Sequence, residues 1–452
     1  MEVILIKAAQ LILSLSILIV LHELGHFIPA RLFKTRVEKF YLFFDPWFSV
    51  IKKKIGDTEY GIGWLPLGGY VKISGMIDES MDKEQMAKPP KPWEFRSKPA
   101  WQRLIIMLGG VTVNLLLGVF IYSMILYTWG GDPYIENNNL KNGLVFSDFA
   151  KEIGFKDGDK ILSVDGEKID RTYTNGMSRA KVVKMMAVRD EAFSVMVERS
   201  GVETEIKIGD NFIKDLKDKN VGPLFAPNSL PDNQLIVKSV TKNSNAESAG
   251  LLKEDIIVSV NGLEGKHEGY LLIAEINKNK NKNISLVVER LGSLIYLDVL
   301  VSEEGKIGFM FEQDVLKSSL DKFSLFGSIP AGYEKTKFEL ENYIAQFGLL
   351  FNSKNELGGD VGGFASIGNM FPPSWDWRVF WELTAFLSIM LAFLNLLPIP
   401  ALDGGHVVFL LYEIIVGKPA PEKVMEYAQI TGFILLMSLV LYANGNDIIK
   451  LF

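Results

Sequence analysis

The chain of 452 residues contains no cysteine. Disulfides and thiolate ligands are therefore excluded, and any metal must be held by histidine, aspartate or glutamate. Histidine is scarce too: His22, His26, His267 and His406 are the only four. A large excess of one charge sign is also missing. The formal net charge is −6 and no basic stripe runs along the sequence, which argues against nucleic acid as a partner. Apolar sequence is what the chain has in quantity. Hydrophobic residues make up 48 % and mean hydropathy is +0.17. That balance suits a few membrane spans joined to a substantial aqueous part, and the length leaves room for about three domains.

From Val3 to Leu21 the residues are nearly all Ile, Leu, Val and Ala, a run long enough to cross a bilayer. No small-x-small cleavage site follows it, so it reads as a retained span rather than a signal peptide. At its end stands His22-Glu23-Leu24-Gly25-His26. On a continuous helix His22 and His26 share one face. Two imidazoles so spaced can bind one zinc ion, with Glu23 beside them as the base for an attacking water. In a soluble helix the same string often lies on a solvated face. Within a membrane span, ionisable groups are costly and mark function.

Arg31, Lys34, Arg36, Lys39 and Lys52 to Lys54 follow the span. Positive residues mark a cytoplasmic end, which places the motif toward the cytoplasm and the N-terminus outside. Phe40 to Phe44 and Tyr60 to Ile73 read as strands, aromatic and glycine-rich. Glycine in strands marks bulges or close approach of another backbone, and an open strand edge can accept an extended peptide. Met76 to Lys98 is a polar, proline-rich connector. Trp101 to Trp129 is the second span, holding Gly109-Gly110 and Asn114. Small residues there allow close helix packing, and a buried Asn must find a partner.

The aqueous middle contains a repeat. Ala150 to Gly166 returns without a gap as Ala246 to Gly262, and Val197 to Gly201 returns as Val288 to Gly292. Each copy reads as a short helix, a strand, an Asp-Gly or Asn-Gly turn, a helix and closing strands. In order and spacing the two copies match PDZ domains, which take peptides by strand addition. Lys317 to Phe351 suggests amphipathic helices on the membrane surface, and a glycine-rich segment from Gly358 to Gly368 follows. The third span, about Val379 to Leu397, ends in Asn395, Pro398, Pro400 and Asp403-Gly404-Gly405-His406. Broken backbone at membrane depth is tolerated where it is buried or lines a cavity. Asp403 in such a place needs a cation or a donor. A fourth span runs from about Val424 to Leu441.

Taken together, these residues resemble the site-2 protease family of intramembrane zinc metalloproteases, in its bacterial branch. The resemblance rests on His22 to His26, Leu65 to Val71, Gly110 with Asn114, the two PDZ-like copies, and Asn395 through Gly404. It implies that His22, His26 and Asp403 hold Zn2+ and that Glu23 activates water. It also implies that Asn395 and Asn114 engage the substrate, and that the strands bearing Gly61, Gly63, Gly68 and Gly69 form a membrane-associated hairpin guiding an unwound peptide. The expected fold is a polytopic α-helical membrane protein of about four spans, with that β-hairpin and two tandem PDZ domains. The expected division is residues 1–128 (two spans, zinc motif, hairpin), 129–220 and 221–312 (the PDZ domains), 313–375 (amphipathic helices and glycine-rich segment) and 376–452 (two spans and the third ligand). Expected partners are single-span membrane proteins, anti-sigma factors among them, and the lipid bilayer. The expected location is a bacterial inner membrane, with both termini and the PDZ domains periplasmic. A catalytically silent receptor or chaperone is the alternative, but a binding module has no use for Glu23. A metal-coupled transporter would need inverted repeats and more spans.

Overall fold

The computed structural model describes residues 2–66, 68–76, 89–137, 140, 143–173, 186, 192–218, 224–227, 235–264, 269–311, 319–349 and 362–449. The chain forms two units, residues 1–131 with 321–452, and residues 132–320. Among the described residues four helices are long and apolar enough to cross a membrane. They are α1 (Glu2–Leu32), α2 (Ala100–Trp129) and, further along, Trp377–Leu396 and Glu422–Ile449.

Between α1 and α2 lies a four-stranded sheet of β1 (Val37–Leu42), β2 (Phe44–Ile55), β3 (Thr58–Leu65) and β4 (Tyr70–Ile73). Its order is β2-β3-β1-β4. The aromatic run from Tyr60 to Ile73, expected as strand, is divided between β3 and β4. Pro66 cannot donate to a ladder, and Gly68 takes a positive φ of 148° that a side chain would resist. The chain therefore leaves β3 and returns as β4, an edge strand paired only to β1 among the described residues.

The later helices are α3 (Leu325–Leu349), α4 (Phe364–Met370), α5 (Trp377–Leu396), α6 (Asp403–Val416) and α7 (Glu422–Ile449). The amphipathic stretch expected at the membrane surface forms the long helix α3, which packs along α2 and α5. Lys335 sits 5.1 Å from the Tyr122 ring centre, and Tyr343 meets Phe393 edge-on at 5.5 Å. One side of the helix is packed on these neighbours, with Thr336 buried, while Phe326, Ile329, Tyr333 and Ile344 stay exposed on it. Polar pairs pin the bundle where no water can: Ser14 Oγ lies 2.9 Å from Thr384 Oγ1, and Ser388 Oγ donates to the Asn114 carbonyl at 2.8 Å. The glycine-rich segment is described from Gly362 onward. There Asn444 and Asp447 of α7 accept from the N–H groups of Phe364 and Ser366, satisfying donors that a helix start leaves free.

Unit 132–320 is built twice over one pattern. Strand 160–164 precedes a turn at Asp165-Gly166, and strand 256–260 precedes one at Asn261-Gly262, all four residues at positive φ. Asp165 Oδ1 accepts from Ser194 N–H at 2.9 Å, and Asn261 Oδ1 from Ser285 N–H at 3.0 Å. Hairpins 193–199/202–208 and 283–290/293–300 close each copy. Arg199 forks onto Asp159 and the Gly154 carbonyl; Arg290 forks onto Asp255 and the Gly250 carbonyl. Those hydrogen bonds push both guanidinium pKa values above the ordinary level. Each copy has its own apolar core, around Val164 and Val195 in one and Val260 and Leu286 in the other. Helix 269–278 belongs to the second copy; its expected counterpart in the first is described only at the buried Met186, and His267 lies outside the described residues.

The Asp255 side chain is almost wholly buried, so removing its partner strands a charge in the core. Arg290→Ala is expected to lower amide protection in strand 283–290 by about 3 kcal/mol, read by hydrogen exchange on the full chain.

Candidate metal centre

Helices α1 and α2 touch through glycine. A Cβ on Gly25 would strike the Gly109 carbonyl and come 2.8 Å from the Gly110 Cα; one on Gly109 would strike the Gly25 carbonyl. Gly110 lies against the imidazoles themselves, where a methyl group would sit 2.5 Å from His22 Cε1 and from His26 Nε2. The bare backbone of α2 is what gives the two rings their space.

The rings turn their Nε2 atoms toward each other, 3.2 Å apart. Asp403 Oδ2 lies 3.3 Å from each. The carboxylate arrives there because α5 stops at Leu396 and the chain crosses Pro398 and Pro400 before α6 begins at Asp403. Ala401 is held at φ 80°, a conformation costly for a residue with a side chain. Its N–H donates to Gln429 Oε1 of α7 at 3.2 Å. Gly404 and Gly405 have no room for a Cβ beside the carbonyls of Leu396, Leu397 and Ile399, so the first turn of α6 can fold back on the break.

Three donor atoms at 3.2, 3.3 and 3.3 Å form a nearly equilateral triangle. Zinc bonds of about 2.0–2.1 Å in a tetrahedron require ligand-to-ligand edges of about 3.3–3.4 Å. Asp403 Oδ2 is buried and makes no hydrogen bond. An acceptor left bare against two imidazoles is unfavourable without a cation. The residues present therefore fit zinc, with a fourth position left for chemistry. His26 is also oriented from behind, since its Nδ1 lies 2.8 Å from the Ile106 carbonyl and donates to it.

Glu23 lines the same cavity of about 890 Å³. So do five consecutive residues, Gly69 to Ile73. Side chains of a strand alternate between faces, so an unbroken run on one cavity means that the edge of β4 faces it. Gly69 is the nearest glycine of the sheet to the base, its Cβ position 3.6 Å from Glu23 Cγ. Tyr70 donates to Asp45 Oδ1 at 2.8 Å, and burial followed by that bond push its hydroxyl pKa far up, keeping it a donor. Phe433, Met437 and Val440 of α7 form an apolar wall opposite.

Peptidase family M50 matches residues 10–439. The chain belongs to that family, the site-2 proteases. It is a membrane-embedded zinc metalloprotease. Among its relatives are the regulator of sigma-E protease RseP of Escherichia coli K12, 28% identical over 98% of each chain. The regulator of sigma E protease of Haemophilus influenzae is 28% identical over 97% of this chain and 98% of its own.

The expected site residues divide by position. His22, His26, Glu23, Asp403 and Gly69 meet at the cavity. Gly61 and Gly63 do not: they lie inside the sheet, pressed on the Tyr41 ring and the Phe44 backbone, where packing explains them. Gly68 lies against the Phe44 ring. Asn395, half-buried near the end of α5, does not line the cavity. Asn114, expected at the substrate, is fully buried beside His22. Sequence reasoning missed Gln429, whose signal was an amide inside an apolar span.

Asp403→Ala is expected to abolish stoichiometric zinc binding, whereas His406→Ala, which lines the cavity outside the triangle, keeps it. Metal analysis of the two purified variants checks this.

Proposed function

We propose that the chain hydrolyses a peptide bond within or beside the span of single-span membrane proteins, using His22, His26 and Asp403 to hold zinc and Glu23 as the base. The observation that carries this reading is that Glu23, the triangle of donor atoms and the open edge of β4 share one cavity. Zinc bound there would acidify a water and polarise the scissile carbonyl. Glu23 takes the proton from the attacking water and passes it to the leaving amine.

A substrate helix conceals its carbonyls in its own hydrogen bonds, so it must unwind before it can be cut. Pairing with β4 offsets part of that cost by replacing the lost bonds. The apolar wall of α7 suits the side chains of a membrane segment. On the other side of the sheet from β4, Trp47, Phe48 and Trp64 stack at an exposed end of β2 and β3, followed by Lys52 to Lys54. Aromatic and basic residues together suit the headgroup region, which supports reading this hairpin as membrane-associated.

In this reading the two copies in residues 132–320 are PDZ domains on the periplasmic side of an inner membrane, as the positive residues after α1 require. They screen the external part of a substrate. The names of the two relatives support an anti-sigma factor as one such substrate.

Glu23→Gln is expected to keep zinc and fold and to lower turnover of a single-span reporter by at least about 10²-fold, because an amide cannot accept the proton. Proteomic comparison of membranes carrying the native and variant chains then reveals the substrates. Near-native cleavage by the variant would remove Glu23 from this role.

A further inference from the structure

Helix α2 presents Ile106, Gly110 and Asn114 at intervals of four, one face of the helix. Ile106 offers its carbonyl to His26 Nδ1, and Gly110 lies under both rings. Asn114 completes the row: its side-chain amide stands 3.2 Å from His22 Nδ1. It is wholly buried, so it cannot reach a peptide passing through the cavity. Ser388 holds it in place by donating to its backbone carbonyl.

We infer that Asn114 is a positioning residue that fixes His22 in the tautomer able to ligate zinc through Nε2. The inference rests on the zinc reading above. An imidazole that binds metal through Nε2 carries its proton on Nδ1 and needs an acceptor there. The amide nitrogen of Asn114 faces Nδ1, and its oxygen Oδ1 is buried without a hydrogen bond. A half-turn of the amide exchanges the two atoms. Oδ1 then accepts from His22 Nδ1–H, which gives the buried acceptor a partner and removes the donor-to-donor conflict, while Nδ2 takes the place that Oδ1 leaves. In the other orientation the amide donates to a bare Nδ1, which leaves the proton on Nε2 and closes that atom to zinc. His26 has a backbone carbonyl behind it, which can only accept. His22 has Asn114, and the acceptor end is the one that serves.

Zinc affinity of the purified full chain, measured by competition with a chromophoric chelator, tests this without any turnover. Asn114→Leu and the smaller Asn114→Ala are expected to weaken zinc roughly 10- to 100-fold, with Ala covering the case in which Leu fails to fold. Asn114→Asp, which accepts and cannot donate, is expected to restore binding to the native level or tighter. If Asp binds as weakly as Ala, Asn114 acts as a donor and the inference is overturned. If Leu and Ala bind zinc like the native chain and only raise KM, Asn114 serves the substrate and the inference is overturned as well. A native chain that binds no zinc sinks the site reading itself, a failure distinct from these.

Discussion

Two helix backbones meet at Gly25 and Gly109, and the site depends on that approach. With a side chain at either position α1 and α2 would have to separate, since the nearest atoms are backbone and cannot swing aside. Separation would draw the Ile106 carbonyl away from His26 and Asn114 away from His22. The imidazoles would keep their spacing along α1 but lose the groups that orient them. In a membrane, where apolar surface gains little by leaving lipid for protein, such contacts come from small residues and buried polar pairs. The Ser14–Thr384 and Ser388–Asn114 bonds supply the second kind, tying α5 to the same pair of helices.

The third ligand comes from the opposite strategy, a helix deliberately interrupted. Pro398 and Pro400 end α5, and Gly404 and Gly405 let α6 start at once, so Asp403 occupies a helix N-terminus that faces α1. The first N–H groups of a helix favour a carboxylate, which helps an acid to remain charged at this depth. Gln429 of α7 receives the Ala401 N–H, so the exposed backbone of the break is also satisfied from the fourth apolar helix. Rigid ligands on α1 and α6 and an open strand edge at β4 thus serve different needs. The ion needs fixed geometry, whereas the substrate needs a surface that accepts many sequences through its backbone.

Much of this was legible in the residues. Spacing alone put His22 and His26 on one face, the proline pair announced the break before Asp403, and the Asp-Gly and Asn-Gly turns located both copies of the repeat. What could not be read was direction. A buried Asn in a span must have a partner, yet nothing in the sequence says whether Asn114 faces the cavity or the back of an imidazole. Glycine has the same ambiguity: Gly69 lines the cavity while Gly61 and Gly63, a few residues earlier, are pressed against an aromatic ring and a backbone. Helix α3 looked like a surface helix because its pattern is amphipathic. Part of it packs on α2 and α5, partners far away in sequence that periodicity cannot name.

Zinc K-edge absorption on the purified protein tests the central claim most directly. The account predicts a four-coordinate shell of nitrogen and oxygen at about 2.0–2.1 Å, with multiple scattering from two imidazoles and no sulfur. A shell showing a single imidazole, or six oxygens in an octahedron, would contradict a site made by His22, His26 and Asp403.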